Sequence, residues 1–299
     1  MMEYVNINEK KYKIVIGNGK DDSYRGSFNA LTEKTFGFNF ENWYQGGYWK
    51  GKYIPYSLMD GDKVVSNVSA NLMDLEVFGE KKKYIQLGTV MTDEFYKKQG
   101  LARRLMEKVL ADYKDKSDLI YLFANDSAVH FYPKFGFTKI DQYVCTKVIS
   151  KTENGGAFRK LNMNDLNDRV LVYNKAKAAF PIAQIFMCNN GELTMFYCDG
   201  FMKNSVYYVP CYDAVVVVDF NKDELKLFDI FCEKKVSADD IINCVVNENI
   251  KKVKLYFTPK ETASYEVKRL ELEGTLFVMG KDKALFQGKK FMFPELSHT

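Results

Sequence analysis

Long apolar runs are missing from this 299-residue chain. No stretch approaches the roughly 20 residues that span a bilayer. Met1-Met-Glu-Tyr-Val-Asn6 lacks the charged and apolar regions of a secretory leader. A membrane protein is therefore not expected. An excess of one charge is missing as well: 43 basic and 39 acidic residues leave a net +4, too small and too dispersed to argue for nucleic acid as a partner. Histidine occurs only at His130 and His298, and the six cysteines (145, 188, 198, 211, 232, 244) show no Cys-x-x-Cys spacing. A metal site is not expected. Scattered free thiols suit a reducing compartment, so a cytoplasmic location is the expectation.

Aromatic residues, by contrast, make up 15% of the chain, mostly Tyr and Phe. Length alone predicts two domains. A polar, flexible boundary at Asn154-Gly155-Gly156 divides the chain into residues 1–150 and 157–299.

The run Lys97-Lys98-Gln99-Gly100-Leu101-Ala102-Arg103-Arg104 carries the most chemistry. A strand-like segment, 84–91, precedes it. After Gly100, Leu101, Leu105 and Val109 repeat at helical spacing, with Arg103, Arg104, Glu107 and Lys108 outward. A helix start leaves its first N–H groups unpaired, and the helix dipole favours an anion there. Gly100 lets backbone approach a ligand closely. Strand, donor-rich loop and helix together make a site for phosphate oxygens.

Strands are predicted at 12–16, 53–59 and 63–77, with a turn at Asp60-Gly61. A helix is predicted over 23–35. A second apolar strand, 119–124, follows the helix that starts at Gly100, giving a β-α-β unit and a parallel pair. Between these lies an aromatic cluster, Phe36 to Trp49, that holds both tryptophans. The second half repeats the order: strand 225–231, a helix from Ser237 with Asp240 placed for a capping pair, then strand 253–257. A last strand falls at 275–279.

After strand 119–124 comes Asn125-Asp-Ser-Ala-Val-His-Phe-Tyr-Pro-Lys-Phe-Gly-Phe137. This segment, with the loop at 97–102, resembles the GNAT superfamily of acyl-CoA-dependent N-acyltransferases. That family's loop reads Arg/Gln-x-x-Gly-x-Gly/Ala, and its later signature ends Phe-Tyr-x-x-x-Gly-Phe. Lys97 stands where Arg or Gln is usual. The resemblance covers residues 10–150. It implies an α/β (α+β) GNAT fold: a mixed, mostly antiparallel sheet with a splayed parallel strand pair, followed by a second GNAT-like domain. Two carboxylates at the Ser237 helix start would repel a pyrophosphate, so that second half is read as degenerate.

The resemblance also implies acetyl-CoA as cosubstrate, held by the backbone of Thr89, Val90 and Met91, by the loop Lys97, Lys98, Gln99, Gly100, Leu101, Ala102 and Arg103, and by Asn125. Tyr132 would be the catalytic acid for the leaving thiolate. The position of a common catalytic Glu, eleven residues before Lys97, holds Gln86, so the base is open; Glu41 and Asp74 are the carboxylates considered. The aromatic cluster lies on the acceptor side of the family fold. It either lines an amine pocket or fills the groove between domains. The expected activity is N-acetyl transfer to a primary amine of a small molecule or peptide. The alternative is a non-catalytic acyl-CoA-binding or regulatory protein. Self-association is left open.

Overall fold

The computed structural model describes residues 3–17, 19–149, 156–271 and 274–299; the boundary residues Asn154 and Gly155 lie outside them. The chain opens with a hairpin, β1 (Glu3–Ile7) and β2 (Lys10–Ile16). Its two turn residues, Asn8 and Glu9, are both left-handed, with φ 50° and 64°, as a two-residue primed turn requires. Helix α1 (Asp22–Phe36) starts where the Asp21 side chain accepts the Tyr24 N–H and stops at Gly37, φ 77°. After the short α2 (Glu41–Gln45) come β3 (Tyr53–Asp60), β4 (Lys63–Val77) and β5 (Glu80–Thr92), an antiparallel meander. Helix α3 (Leu101–Tyr113) then crosses to β6 (Leu119–Ala124), which lies parallel to β5. Two short strands follow, β7 (Thr138–Ile140) and β8 (Tyr143–Val148).

The second half holds β9 (Arg159–Lys160), α4 (Leu166–Ala178), β10 (Ile185–Met187), α5 (Gly191–Phe196) and β11 (Val206–Val209). It continues with β12 (Ala214–Asn221), β13 (Glu224–Phe231), α6 (Ala238–Val245), β14 (Lys252–Leu255), β15 (Glu266–Arg269) and β16 (Thr275–Met279). The unit β13–α6–β14 repeats β5–α3–β6, with β13 and β14 again parallel.

Two mixed sheets result. The first has the order β1-β2-β3-β4-β5-β6-β16-β7, with β10 added to β4; the second runs β15-β8-β14-β13-β12-β11-β9. The halves exchange strands. β8 from the first half sits between β14 and β15, and β16 from the second half sits between β6 and β7.

Strand alternation sorts the first sheet's side chains to two faces. Ile85, Leu87, Ile120 and Leu122 meet Leu101, Leu105 and Val109 of α3 on one side. Tyr84, Tyr121, Leu276 and Val278 meet Phe286, Phe291 and Phe293 on the other. Each such fully buried aliphatic side chain contributes roughly 1.5–3 kcal/mol as an upper bound. No helix among the described residues is long and apolar enough to cross a membrane.

Candidate active site

Strands β5 and β6 pair from Tyr84↔Leu119 to Leu87↔Leu122 and then part. The cause is on the other side of β5. Its register against β4 shifts between Asn67 and Ser69, leaving Thr89 and Val90 without partners on β4. Thr89 takes φ 47°, a conformation that β-branched residues rarely adopt. It is held there by the buried Asn67, whose side-chain amide donates to the Thr89 carbonyl at 2.9 Å, and by Tyr53, whose hydroxyl lies 2.9 Å from Thr89 Oγ1. The parting strands open a cleft of about 910 Å³.

The loop after β5 forms one rim. Asp93 is buried and caps the turn Glu94–Tyr96 by accepting the Phe95 N–H at 3.1 Å. Its hydrogen bond to Lys63, 2.8 Å away, holds its carboxyl below the usual carboxylate range, with Lys34 at 3.8 Å adding to it. Lys98 and Gly100 then both take left-handed backbone, φ 62° and 91°. Gly100 is the N-cap of α3 and offers no side chain to its first turn, which also contains no acidic residue. The N–H groups of that turn face the cleft unpaired by the helix. The β1–β2 turn braces the loop from behind: the Asn8 side-chain amide donates to the Gln99 carbonyl at 3.0 Å.

Of the residues singled out from the sequence, Thr89, Val90, Met91, Lys97, Lys98, Gly100, Leu101, Ala102, Arg103, Asn125 and Tyr132 all line this one cleft. Gln99 does not. Its side chain turns back to donate to the Phe95 carbonyl at 2.9 Å, so only its backbone belongs to the loop.

Tyr132 sits in the turn Tyr132–Phe135, its ring packed on Phe137 and on Phe277 of β16. The residue is 4% exposed. Among the described residues no group hydrogen-bonds its hydroxyl, and burial pushes that hydroxyl up to about 12. The ring is core, and the residue also lines the cleft.

Gln86 is buried and committed to the chain's own segment 297–299. With its amide oxygen accepting the Thr299 N–H at 2.9 Å, its nitrogen donates to the Ser297 carbonyl and to Thr299 Oγ1, each at 2.9 Å. Asn71 adds a donor to Thr299 Oγ1 at 2.8 Å, and Tyr197 donates to the His298 carbonyl at 2.7 Å. His298 stacks on Phe123, with ring centroids 3.6 Å apart. A carboxylate at position 86 could not donate to the Ser297 carbonyl, which gives the amide a structural reason. Gly88 is bare for a related reason: a Cβ there would stand 2.5 Å from the Thr299 carbonyl oxygen. Nothing local in the sequence pairs Gln86 with residues so far along the chain.

Neither considered carboxylate reaches the cleft. Glu41 is taken by Arg25, Asn29 and Gln45, at 2.9, 2.9 and 2.7 Å, and its bond to Arg25 holds it below the ordinary range. Asp74 pairs with Lys52 at 2.9 Å. His130 is exposed. The aromatic cluster is mostly filled: Phe40 and Trp43 touch each other and each touches Tyr53 and Phe196, with centroids 5.2–5.9 Å apart. The Trp43 indole N–H donates to the Glu192 carbonyl at 2.7 Å, which ties the two halves together. The space left beside it is about 40 Å³. Leu31, Thr35 and Phe36 at the end of α1 form the cleft's outer wall instead.

In the second half the corresponding positions differ. Ser237 and Asp240 form a reciprocal capping pair at the start of α6, while Asp239 bonds Tyr265 at 2.5 Å and Lys147 at 3.0 Å. Beyond Leu227 and Leu255, the gap between β13 and β14 receives the segment at Glu295, whose N–H donates to the Tyr256 carbonyl at 3.0 Å. Among the described residues no three of His, Cys, Asp and Glu gather as metal ligands.

Residues 21–140, from α1 through β7, match the model of an acetyltransferase (GNAT) domain. Over that stretch the chain is similar to the GNAT superfamily. GNAT folds also appear among solved structures similar to it. A probable N-acyltransferase from Enterococcus faecalis superposes with a TM-score of 0.59 at 13% identity, covering 90% of this chain and 72% of that one. A GCN5-related N-acetyltransferase from Kribbella flavida gives 0.56 at 14%, covering 89% and 71%. Another, from Anabaena variabilis, gives 0.56 at 10%, covering 89% and 72%. At these identities the likeness concerns the fold, and it extends through both halves. A comparison of the sequence with curated proteins finds no match.

Proposed function

We propose that this protein is a GNAT enzyme that binds acetyl-CoA in the cleft and moves the acetyl group directly to a primary amine of a small molecule or peptide. The single observation that carries the reading is a juxtaposition. A loop with two left-handed residues opens α3 beside a splayed parallel pair, and Tyr132, whose hydroxyl has no hydrogen-bond partner among the described residues, lines the same cleft.

In this reading the free N–H groups from Lys98 to Arg103 hold the pyrophosphate. Lys97 and Lys98, without ion-pair partners among the described residues, supply charge to the phosphates. Backbone groups of Thr89, Val90 and Met91 bond the pantetheine amides, and Asn125 contacts the cofactor from the end of β6. Val90, free of the β4 ladder, is the best placed N–H for the oxyanion that forms when the amine attacks the thioester.

Tyr132 then serves the leaving sulfur. Its hydroxyl at about 12 stays protonated across neutral pH. Against a thiol near 8.5, full proton transfer runs uphill by about 5 kcal/mol. It therefore acts first as a hydrogen-bond donor while charge builds on sulfur in a dry site, and the proton follows. The amine's proton leaves through water, because Gln86 is an amide held by the 297–299 segment. We further propose residues 1–150, completed by β16, as the catalytic part, residues 157–299, which take in β8, as a degenerate GNAT-like part, and a cytoplasmic location.

The amide at position 86 also favours a second reading, a non-catalytic acyl-CoA-binding protein. Thiol release from acetyl-CoA over a library of amines separates the two. The enzyme reading expects turnover with at least one amine, and a fall of about 10²-fold in kcat for Tyr132→Phe with CoA affinity unchanged. Heat on titrating CoA without turnover on any amine supports the second reading. No heat at all overturns both.

A further inference from the structure

Away from the cleft, two thiols meet on the second sheet. Cys211 lies in the exposed turn Pro210–Tyr212 between β11 and β12, and Cys244 lies in the last turn of α6. Their sulfurs are 3.4 Å apart, although 33 residues separate them in the chain. Among the described residues no other pair of cysteines is in contact. Cys145, Cys198 and Cys232 are buried singly, and Cys188 faces the Phe186 carbonyl. Cys232 is spoken for by the Tyr212 carbonyl, 3.3 Å from its sulfur.

We propose that Cys211 and Cys244 are an oxidation site, a dithiol that closes to a disulfide on reaction with a low-molecular-weight disulfide of the glutathione type. This inference is independent of the acetyl-transfer reading.

Access and geometry set the order of events. Cys211 is exposed and meets the oxidant first, whereas a Cβ on Gly156 would stand 3.1 Å from the Cys244 sulfur, so the chain entering the second half covers that side. Burial pushes the Cys244 thiol up to about 11, so it keeps its proton while Cys211 reacts first. The Cys211 thiolate attacks one sulfur of the small disulfide. A bond forms from Cys211 to that sulfur, the small disulfide's own bond breaks, and the departing thiolate takes up a proton. Cys244 then releases its proton to solvent and attacks the Cys211 sulfur, expelling the second small thiolate, which is protonated in turn. Two protein thiols are oxidised and one small disulfide is reduced to two thiols. The sulfurs must close to about 2.05 Å, a movement that the Pro210–Tyr212 turn can supply because it carries no ladder pairing.

The full-length folded protein is incubated with oxidised and reduced glutathione at a series of ratios, quenched with acid and digested. The expected result is a cross-linked pair of peptides carrying Cys211 and Cys244, a mass lower by two hydrogens, two fewer thiols titratable after unfolding, and a melting temperature raised by several degrees as the closed loop restricts the unfolded chain. Cys244→Ser should stop at a mixed disulfide on Cys211, and Cys211→Ser should take up no glutathione at Cys244. Should either variant fail to fold, the peptide map and thiol count of the unaltered protein decide alone. A stable glutathione adduct on Cys211 in the unaltered protein overturns the proposal. So does a cross-link that forms only after denaturant is added, or no reaction at any ratio.

Discussion

Gly100 can be replaced without a collision, since a Cβ there would find only Ile7 at 4.0 Å. The strain of a left-handed φ costs an ordinary residue about 1 kcal/mol. Gly100→Glu should therefore leave the fold standing while placing a carboxylate where the helix start favours an anion. The expected outcome is a loss of at least about tenfold in CoA affinity by titration calorimetry, with thermal stability down only slightly. Asp229 makes a different prediction. It is 4% exposed, accepts the Ile230 N–H at 2.8 Å, and burial pushes it up to about 7. Below about pH 4 folded and unfolded chains both hold the proton. As pH rises from there the unfolded chain ionises first, so stability falls until the folded carboxyl ionises near 7, and the full penalty persists above. Asp229→Asn removes the penalty and keeps the acceptor oxygen. Denaturant melts should show a gain of up to roughly 4 kcal/mol near pH 8 and none near pH 4.

At the scale of elements, the capping pair of α6 is the most exposed to test. The Ser237 hydroxyl accepts the Asp240 N–H at 3.0 Å while the Asp240 carboxylate accepts the Ser237 N–H at 3.1 Å. Ser237→Ala should cost about 1 kcal/mol, read as a lower melting midpoint. That cap was legible in the sequence because capping is local chemistry. So were β4 at 63–77, β6 at 119–124 and β16 at 275–279, whose apolar alternation or apolar runs are bounded by turns, and α3, whose buried stripe follows helical spacing. Strand β1 was not: three of its five residues are exposed and polar neighbours blur its pattern at the sheet edge. The loop and Tyr132 were legible as a motif. The Asn67 brace on Thr89 and the Gln86 clamp on 297–299 were not, because each depends on a register shift or a contact that leaves no local trace.

For the molecule as a whole, the sheet order departs from the order of the halves. β16 covers β6 through five register pairs, Thr275↔Ala124 to Met279↔Ile120, and β8 is reciprocally built into the other sheet. A fragment of residues 1–150 would expose the β6 edge and remove Phe277 from behind Tyr132. It should show no sharp thermal transition, whereas the entire chain should melt cooperatively in calorimetry. The exchange also orders events in time. A nascent chain that has emerged as far as residue 150 has made the 97–103 loop and Tyr132 but not Phe277, which packs behind that ring. The cleft's backing is complete only when synthesis has passed residue 279, and until that moment the growing polypeptide carries an open strand edge that a chaperone, or another nascent copy, can seize.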